Sequence, residues 1–540
     1  MSKKIRIVAA QLNLLVGDIA GNLNKHIAAA KNAREQFSAD IIVFPELSLT
    51  GYPPDDLLLR QDFIEEANHA LHTLQATVKD IYCLVGHPHA TSTGIYNACS
   101  MIYNGTIVGR YAKQHLPNYG VFDEARYFVP GNGPCVIPVH NMPVGLVICE
   151  DLWQPGPIQQ AATQGARLIL SPNASPFESD KYEQRVAILT RRAKEQHVPI
   201  VYVNCVGGQD DLVFDGGSMA CNAEGEIAQF SGFFIEMLYP MHIDISSTQA
   251  LVEKTASVIP SVEERIYQAL VLGTRDYIEK NHFPGVLLGL SGGIDSALAL
   301  TIAVDALGKE KVHAVMLPTR FTSAMSLEDA ATLAQHVGVR YDSIAIDSLY
   351  QDFLGKIAPI LPSAPSAITD QNIQARCRAV ILMALSNQTG KCVLTTGNHS
   401  ELAVGYCTLY GDMAGGFDIL KDVPKTLVYR LAKYRNRSQT IIPQRIIDRP
   451  PTAELAAEQT DQDTLPPYEQ LDAILAAYIT REESIDAIVQ QGFARETVIK
   501  IVSWIQKNEY KRRQAPVGPR INHKAFGRDR RYPITSGFKG

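Results

Sequence analysis

Three separated segments of this sequence each end an apolar run on a side chain able to take part in catalysis: Glu46 in DIIVFPELSLTGY, Lys113 in GRYAKQHLPNYGVFDE and Cys149 in VGLVICEDLW. A carboxylate, an ammonium and a thiol are the types used for proton transfer, charge stabilisation and nucleophilic attack. Each taken singly has an ordinary explanation. Cysteines are commonly small buried hydrophobes, lysines are commonly solvated, and a Glu after Pro commonly marks a turn. A second kind of chemistry is written in GVLLGLSGGIDSALAL, where an apolar run passes through Ser291-Gly292-Gly293-Ile294-Asp295-Ser296 into a helical pattern. Two glycines let the backbone curl, so successive N–H groups and a helix N-terminus can hold a pyrophosphate. No GK[ST] follows, so this is not a Walker A loop. A lone SGG is commonly just a turn at an N-cap, whereas SGGxDS set between a strand and a helix is far more specific.

Groups like these need elements that end where the side chains begin. The first half alternates short β-branched runs with helical stretches: IRIVAAQ, NLNKHIAAAKNAREQF and DIIVFPE, later IYCLVGH, YNACSMIYN, VGLVICED, RLILSPN, IVYVNCVG and GSMACN. This order predicts an α/β layered fold whose sheets are covered by helices, with strands continuing to about Ile245. A new unit opens near Pro260, where Ser261 and Glu264 form a capping box ahead of VEERIYQALVLGTRDYIEKN. Strand GVLLGL, helix SALALTIAVDAL, strand VHAVML, helix SLEDAATLAQHV, strand YDSIAID, a helix around IQARCRAVILMAL and strand KCVLTT follow. That βαβα order predicts a doubly wound parallel sheet with its ligand site beyond the strand carboxyl ends. The expected organisation is two catalytic modules, residues 1–245 and 261–540, with a connector over 246–260.

Composition narrows the partners. A chain of 540 residues exceeds one core, and 46% hydrophobic with 20% charged residues describes a globular protein. The net charge of −6 gives no global reason to expect nucleic acid or an anionic membrane. No apolar run reaches the roughly 18 residues of a spanning helix, and MSKKIRIVAAQLN reads as a first strand rather than a signal peptide. Nine scattered cysteines without a CxxC pair suggest neither a disulfide framework nor structural zinc, so the cytoplasm is the default location. The tail carries Lys511, Arg512, Arg513, Arg520, Lys524, Arg528, Arg530 and Arg531 against Asp529, with Phe526 and Tyr532 nearby. A dinucleotide with two phosphates, or an acidic neighbouring subunit, explains this cluster more simply than nucleic acid does.

The strand–SGGxDS–helix segment resembles the signature of the N-type ATP pyrophosphatases, which cut ATP between its α- and β-phosphates. The resemblance implies that Gly289, Leu290, Ser291, Gly292, Gly293, Ile294, Asp295 and Ser296 hold ATP, with Asp295 helping to bind Mg²⁺. LPTRFTS, TDQNIQARCRAVILMALSN, TTGNHSELAVGYCTLYGDMAGGFDILKDVPK and PPTAELAAEQTDQDTLPPYEQLDAIL are similar, in order and spacing, to the NAD⁺ synthetase domain. This implies that Asn372 and Glu401 contact deamido-NAD⁺, Thr396 contacts ATP, Glu401 is a Mg²⁺ ligand opposite Asp295, and Lys511 lies at the dinucleotide. Arg320 and Arg376 are further candidate partners for phosphate or carboxylate, although Arg376 and Arg378 read nearly as well as a solvated helix face.

Together with their flanks, Glu46, Lys113 and Cys149 resemble the Glu-Lys-Cys triad of the nitrilase superfamily. The resemblance implies a thioester on Cys149, Glu46 as base and then acid, Lys113 facing the oxyanion, and Glu124 as an additional acid. NYGVFDEARYF and SPNASPFESDKYEQR are similar to the glutaminase branch fused to NAD⁺ synthetases, which assigns Tyr119, Ser175 and Lys181 to glutamine and places Tyr52 near the nucleophile. Over essentially its whole length the chain resembles the glutamine-dependent NAD⁺ synthetases. The implied fold is a nitrilase-like α-β-β-α sandwich followed by a doubly wound ATP pyrophosphatase domain. The implied reaction is ATP-dependent amidation of deamido-NAD⁺ through an acyl-adenylate, using ammonia from glutamine. A homo-oligomer without nucleic-acid or membrane partners is implied as well. Two alternatives stand beside it: an amidotransferase of the same architecture acting on another carboxylate or carbonyl, and a non-catalytic nucleotide-binding scaffold. The presence of Cys149, Glu46, Asp295 and Glu401 weighs against the scaffold.

Overall fold

The computed structural model describes residues 4–244, 251–255, 258–456 and 460–538. Ile245, and residues 246–250 and 256–257 of the expected connector, lie outside the described residues. The chain divides into two compact units, Met1–Pro260 and Ser261–Gly540.

In the first unit two sheets face each other. One runs in the order Leu251–Val252, Met237–Asp244, Lys4–Gln11, Ile41–Val43, Tyr82–Thr91, Gly94–Tyr103, Thr106–Ala112. The other runs Ile227–Phe230, Met219–Cys221, Ile200–Asn204, Leu168–Asn173, Met142–Leu146, Cys135–Val139. Successive strand residues point to opposite faces. From Lys4–Gln11, Ile5, Ile7 and Ala9 enter the core between the sheets, while Val8 and Ala10 pack with Ala29 and Ala33 of helix Ile19–Phe37 and Leu71 and Leu74 of helix Gln61–Thr77. On the second sheet Leu168, Leu170, Val201 and Val203 turn inward, and Ile169 and Ile200 meet helices Pro157–Thr163 and Lys181–Gln196. Burial on both faces is why these strands read as apolar runs instead of strict alternations. The layers stack as helix, sheet, sheet, helix. Leu251–Val252, within the segment expected to connect the units, adds a strand by pairing with Ile243 and Asp244. Two residues are too few to leave a periodic signal.

The second unit opens on helix Val262–Lys280, whose cap Ser261 accepts a hydrogen bond from the Glu264 N–H at 3.2 Å. Its sheet runs Arg340–Ser343, Val312–Met316, Val286–Gly289, Cys392–Thr395, Phe417–Asp418, with every pairing parallel. The chain order reverses between Val286–Gly289 and Cys392–Thr395, the place where a doubly wound sheet leaves a crevice. Leu287, Val315 and Val393 pack under Tyr350, Cys377 and Leu382 from helices Asp347–Ile357 and Ala367–Thr389. A separate core joins helix His399–Val404 to Tyr468–Leu475 and Arg495–Lys507 through Leu402, Leu471, Ile474, Val498 and Ile501.

Two glycines make close approaches that matter for the sites. Gly292 has φ +81°, and a Cβ there would lie 2.5 Å from the Ser326 carbonyl oxygen. Gly86, in strand Tyr82–Thr91, carries the loop holding Glu46 directly on its backbone: a Cβ would lie 2.4 Å from Leu47 N and 2.6 Å from Pro45 O. Gly86→Ala is therefore expected to displace Glu46 and lower glutamine hydrolysis, the activity expected of this unit, at least about tenfold. A glutaminase assay on the purified variant, with ATP cleavage in the second unit as control, checks this.

Candidate active sites

Lys113 is the centre of the first site. Its ammonium is fully buried and donates to Glu46 Oε1 at 2.6 Å and Glu124 Oε1 at 2.8 Å. Asn97 Nδ2 donates to Glu46 Oε1 at 2.8 Å and Glu124 Oε2 at 3.3 Å, and the Tyr52 hydroxyl donates to Glu124 Oε1 at 2.9 Å. Glu46 Oε2 accepts from the Ala174 N–H at 3.1 Å. Sheet register brings two of these together: Ala98 pairs with Ala112, and the Lys113 N–H donates to the Asn97 carbonyl at 2.8 Å. Burial works to strip the Lys113 proton, but Glu124, Glu46 and Cys149 outweigh it and hold its pKa well above that of an ordinary lysine. Burial also pushes Glu124 up, with Lys113 pulling the other way.

Cys149 begins the short turn Cys149–Leu152 just after strand Met142–Leu146, with φ +43°. Such a backbone is strained for a residue with a Cβ and persists only when its surroundings fix it. Asp151 does much of this fixing. Its carboxylate accepts from Ile148 N at 3.3 Å, His115 N at 2.9 Å and the Tyr111 hydroxyl at 2.8 Å, tying the turn to the segment after Lys113. Burial, then Glu46, push the Cys149 thiol well up, against the pull of Lys113 and the Ala174 N–H. Cys149 thus rests as a thiol, which would need a base to act as a nucleophile, and the Glu46 carboxylate is one of the charges acting on it.

Around this cluster, Tyr119 donates its hydroxyl to Glu150 Oε2 at 2.8 Å, and Gln154 donates to Glu150 Oε1 at 3.2 Å. Glu150 follows Cys149 directly and is buried. The Ser175 hydroxyl accepts from Arg185 Nε at 3.1 Å, its carbonyl accepts from Arg185 Nη2 at 2.7 Å, and Arg185 pairs with Asp215 at 2.7 Å. Lys181 opens its helix with the ammonium 4.8 Å from the centre of the Trp153 ring. Sequence reasoning missed Asn97, Asp151, Glu150 and Arg185. The only local sign was a polar residue inside or beside an apolar run, as in YNACSM and VICEDLW.

The second site is a cleft of about 610 Å³ at the carboxyl ends of Val286–Gly289 and Cys392–Thr395. Its wall gathers Gly289, Leu290, Ser291, Gly293, Ile294, Asp295 and Ser296 with Asn372, Thr396, Glu401 and Lys511. Ser296 closes the loop on itself, accepting from Ser291 N at 3.2 Å and donating to Gly293 O at 3.0 Å. Gly292 stands behind the wall, its carbonyl accepting from Arg449 Nη2 at 2.9 Å. Lys511 donates to the carbonyls of Gly405 at 2.7 Å and Cys407 at 2.8 Å. Arg376 is not brought into the wall: it is exposed and its Nε donates to Leu409 O at 3.2 Å. Arg378, on the same helix, does line the cleft, while Arg320 lies outside it with its guanidinium 4.9 Å from the Phe321 ring. Within the basic tail, Arg512 and Arg530 are buried against Glu509, and Arg520 against Asp529, so Lys511 alone of that cluster reaches the cleft among the described residues.

The residue that organises this wall ends the segment TTGNHSELAVGYCTLYGDMAGGFDILKDVPK, where sequence reasoning assigned it no role of its own. Lys425, buried at the start of helix Lys425–Arg435, donates to Asp295 Oδ2 at 2.5 Å and Glu401 Oε1 at 3.4 Å, while Asn398 Nδ2 donates to Asp295 Oδ1 at 3.0 Å. Burial lowers the Lys425 pKa, but Asp295 and Glu401 outweigh that and raise it. Burial pushes Glu401 up to about 8, opposed by Lys425 and reinforced by Asp295. Asp472 braces the group: it accepts from the Ser400 hydroxyl, and from Thr426 N at 2.9 Å and Thr426 Oγ1 at 2.7 Å. One carboxylate thereby ties the residue before Glu401 to the residue after Lys425. Asp295 and Glu401 are hard oxygen donors, and their lone pairs on the cleft side fit a Mg²⁺ ion. No larger cage of His, Cys, Asp or Glu surrounds them among the described residues, so such an ion would draw its other ligands from phosphate and water.

Comparison with known proteins matches both units. The family model described as carbon-nitrogen hydrolase covers residues 6–252, and the one described as NAD synthase covers residues 266–515. A glutamine-dependent NAD(+) synthetase of Acinetobacter baylyi is 47% identical over 99% of both chains, and one of Thermotoga maritima is 43% identical over 99% of both. The structure of glutamine-dependent NAD+ synthetase from Acinetobacter baumannii in complex with ADP is 45% identical, covers 98% of each chain and superposes with a TM-score of 0.81.

The Asp472 brace is open to test. Asp472→Ala is expected to cost about 2–3 kcal/mol of stability and to slow ATP cleavage at least about tenfold. AMP release with free ammonium as nitrogen source reads the second unit, and glutamine hydrolysis in the first unit should be unchanged.

Proposed function

The chain belongs to the glutamine-dependent NAD(+) synthetases, and from that premise we propose how its two sites divide the work. Glutamine supplies ammonia at the first site, and ATP-dependent amidation turns deamido-NAD⁺ into NAD⁺ at the second, with AMP and pyrophosphate released. One observation carries the reading: each unit gathers reactive groups from distant segments around one buried lysine, Lys113 with Glu46 and Glu124, Lys425 with Asp295 and Glu401.

At the first site Tyr119, Ser175 and Lys181 hold glutamine. Lys181 faces the α-carboxylate, and the Glu150 carboxylate, held by Tyr119, faces the α-ammonium. Cys149 Sγ attacks the carboxamide carbon while Glu46 takes the thiol proton. Lys113 stabilises the tetrahedral oxyanion as a fixed charge that needs no reorganisation. Glu46 returns the proton to nitrogen, the C–N bond breaks, and ammonia leaves a thioester on Cys149. Water, deprotonated by Glu46, hydrolyses the thioester to glutamate and restores the thiol. Glu124, held by Lys113, Tyr52 and Asn97, orients the lysine and the water.

At the second site the loop residues Ser291, Gly293, Ile294, Asp295 and Ser296, which line the cleft, face the ATP phosphates and Thr396 contacts the nucleotide, while Asn372, Glu401 and Lys511 hold deamido-NAD⁺. The nicotinate carboxylate attacks the α-phosphorus, the α–β bridge breaks, and pyrophosphate leaves toward the loop and Lys425. Asp295 and Glu401 would hold a Mg²⁺ ion, which would neutralise phosphate charge. Ammonia, neutral because NH₄⁺ has no lone pair, attacks the acyl carbon, the C–O bond to AMP breaks, and the new amide nitrogen gives up one proton to solvent as AMP departs.

The nine cysteines are all free thiols, which supports the cytoplasmic reading, and no helix among the described residues is long and apolar enough to cross a membrane. Val380 and Met383, one turn apart on helix Ala367–Thr389 and outside the cleft wall, are 59% and 39% exposed, which supports a homo-oligomer.

Purified protein with ATP, Mg²⁺, deamido-NAD⁺ and glutamine is expected to form NAD⁺, followed by mass spectrometry. Cys149→Ala should lose the glutamine-driven rate by about 10³-fold or more yet retain synthesis from added ammonium. A Cys149→Ala protein as active with glutamine as the wild type would refute the proposal.

A further inference from the structure

We propose that Asn97 is a positioning residue of the first site: it fixes Glu46 so that Oε2, not Oε1, carries the proton between the thiol and the departing nitrogen. The inference rests on the amidase reading of that site and goes beyond it by naming the proton-carrying atom. Asn97 is 1% exposed within strand Gly94–Tyr103, where burial favours an apolar side chain. Its amide nitrogen is divided between two carboxylates, 2.8 Å from Glu46 Oε1 and 3.3 Å from Glu124 Oε2. Its Oδ1 is buried without a partner among the described residues. A buried acceptor left unpaired is costly, so the side chain is explained by its two N–H groups.

The consequence falls on Glu46. Oε1 accepts from Lys113 at 2.6 Å and from Asn97 at 2.8 Å, which uses both its lone pairs. Oε2 accepts from the Ala174 N–H at 3.1 Å and retains a lone pair. The two donors on Oε1 are held in register, because Asn97 lies within strand Gly94–Tyr103 and Lys113 just past the end of the neighbouring strand Thr106–Ala112, joined by the Lys113 N–H to Asn97 carbonyl bond. The amide does this without adding charge, so Lys113 remains the positive group of the cluster. Leucine would supply no donor, and aspartate would add a third carboxylate. The other titratable groups facing this pair are Lys113, Cys149 and Tyr52, with Cys99 and Cys205 also coupled to Glu46.

The test uses the full-length protein with Asn97→Leu and Asn97→Asp. The kcat of glutamine-driven NAD⁺ formation is expected to fall at least about tenfold, with KM for glutamine within about twofold. The acidic limb of the pH profile should move to higher pH, further for N97D, because the carboxylate pair loses donors to its ionised form. Ammonium-driven synthesis by the same samples should be unchanged. The pH dependence of iodoacetamide alkylation of Cys149, read by mass spectrometry, should shift in the same direction, and it serves even if N97L folds poorly, since N97D preserves shape. An unmoved acidic limb and alkylation profile, or a loss carried by KM alone, would overturn the proposal. Wild-type protein that fails to use glutamine would sink the functional reading instead, while the alkylation profile would still decide the role of Asn97.

Discussion

Taking an ammonium and two carboxylates out of water is tolerable only when they satisfy one another, and both units of this chain are organised around that constraint. Lys113 lies between Glu46 and Glu124, and Lys425 lies between Asp295 and Glu401. Removing one partner of such a group leaves an uncompensated buried charge, a loss of about 3–5 kcal/mol. Segments far apart in sequence are thereby obliged to meet. Each cluster also holds one carboxyl group whose pKa burial pushes up, Glu124 in the first and Glu401 in the second. The shared lysine therefore sits in a site with one excess negative charge to manage, and protons or incoming cations can settle it.

Neutral and bracing groups then set the geometry. Around Lys113 the Asn97 amide serves both carboxylates, and Asp151 clamps the turn that presents Cys149. Around Lys425 the Asn398 amide serves Asp295 and caps the helix carrying Glu401, while Asp472 ties Ser400 to Thr426. The two clusters differ in access. The first is buried, as suits a covalent step whose charges gain from a low-dielectric setting. The second opens onto a cleft of about 610 Å³, where Asp295 and Glu401 remain about one-fifth exposed and within reach of a polyphosphate.

What could be read from the sequence was local. The loop from Ser291 to Ser296, the Ser261 cap and the runs of buried strands are each encoded within a few residues, because turn geometry, capping and side-chain periodicity are short-range properties. The positions of Glu46, Lys113 and Cys149 just beyond apolar runs were visible for the same reason, and likeness to known families gave them expected roles. The covering of sheets by helices in the first half and the doubly wound parallel class of the second followed from element order, whereas strand order and the reversal point did not.

Tertiary structure alone decided which distant groups meet. Asn97 reaches Glu46 through sheet register, Ala174 reaches Glu46 from the facing sheet, and Lys425 reaches Asp295 across the crevice. Arg376 and Arg378 were indistinguishable in sequence, and only the rotational setting of helix Ala367–Thr389 against the sheet turned Arg378 to the cleft and Arg376 to the Leu409 carbonyl. Gly86 looks like any glycine in a strand until the Glu46 loop is seen resting on it. Each depends on the packing of whole elements, set by the sum of many weak contacts, so no window of a few residues contains it.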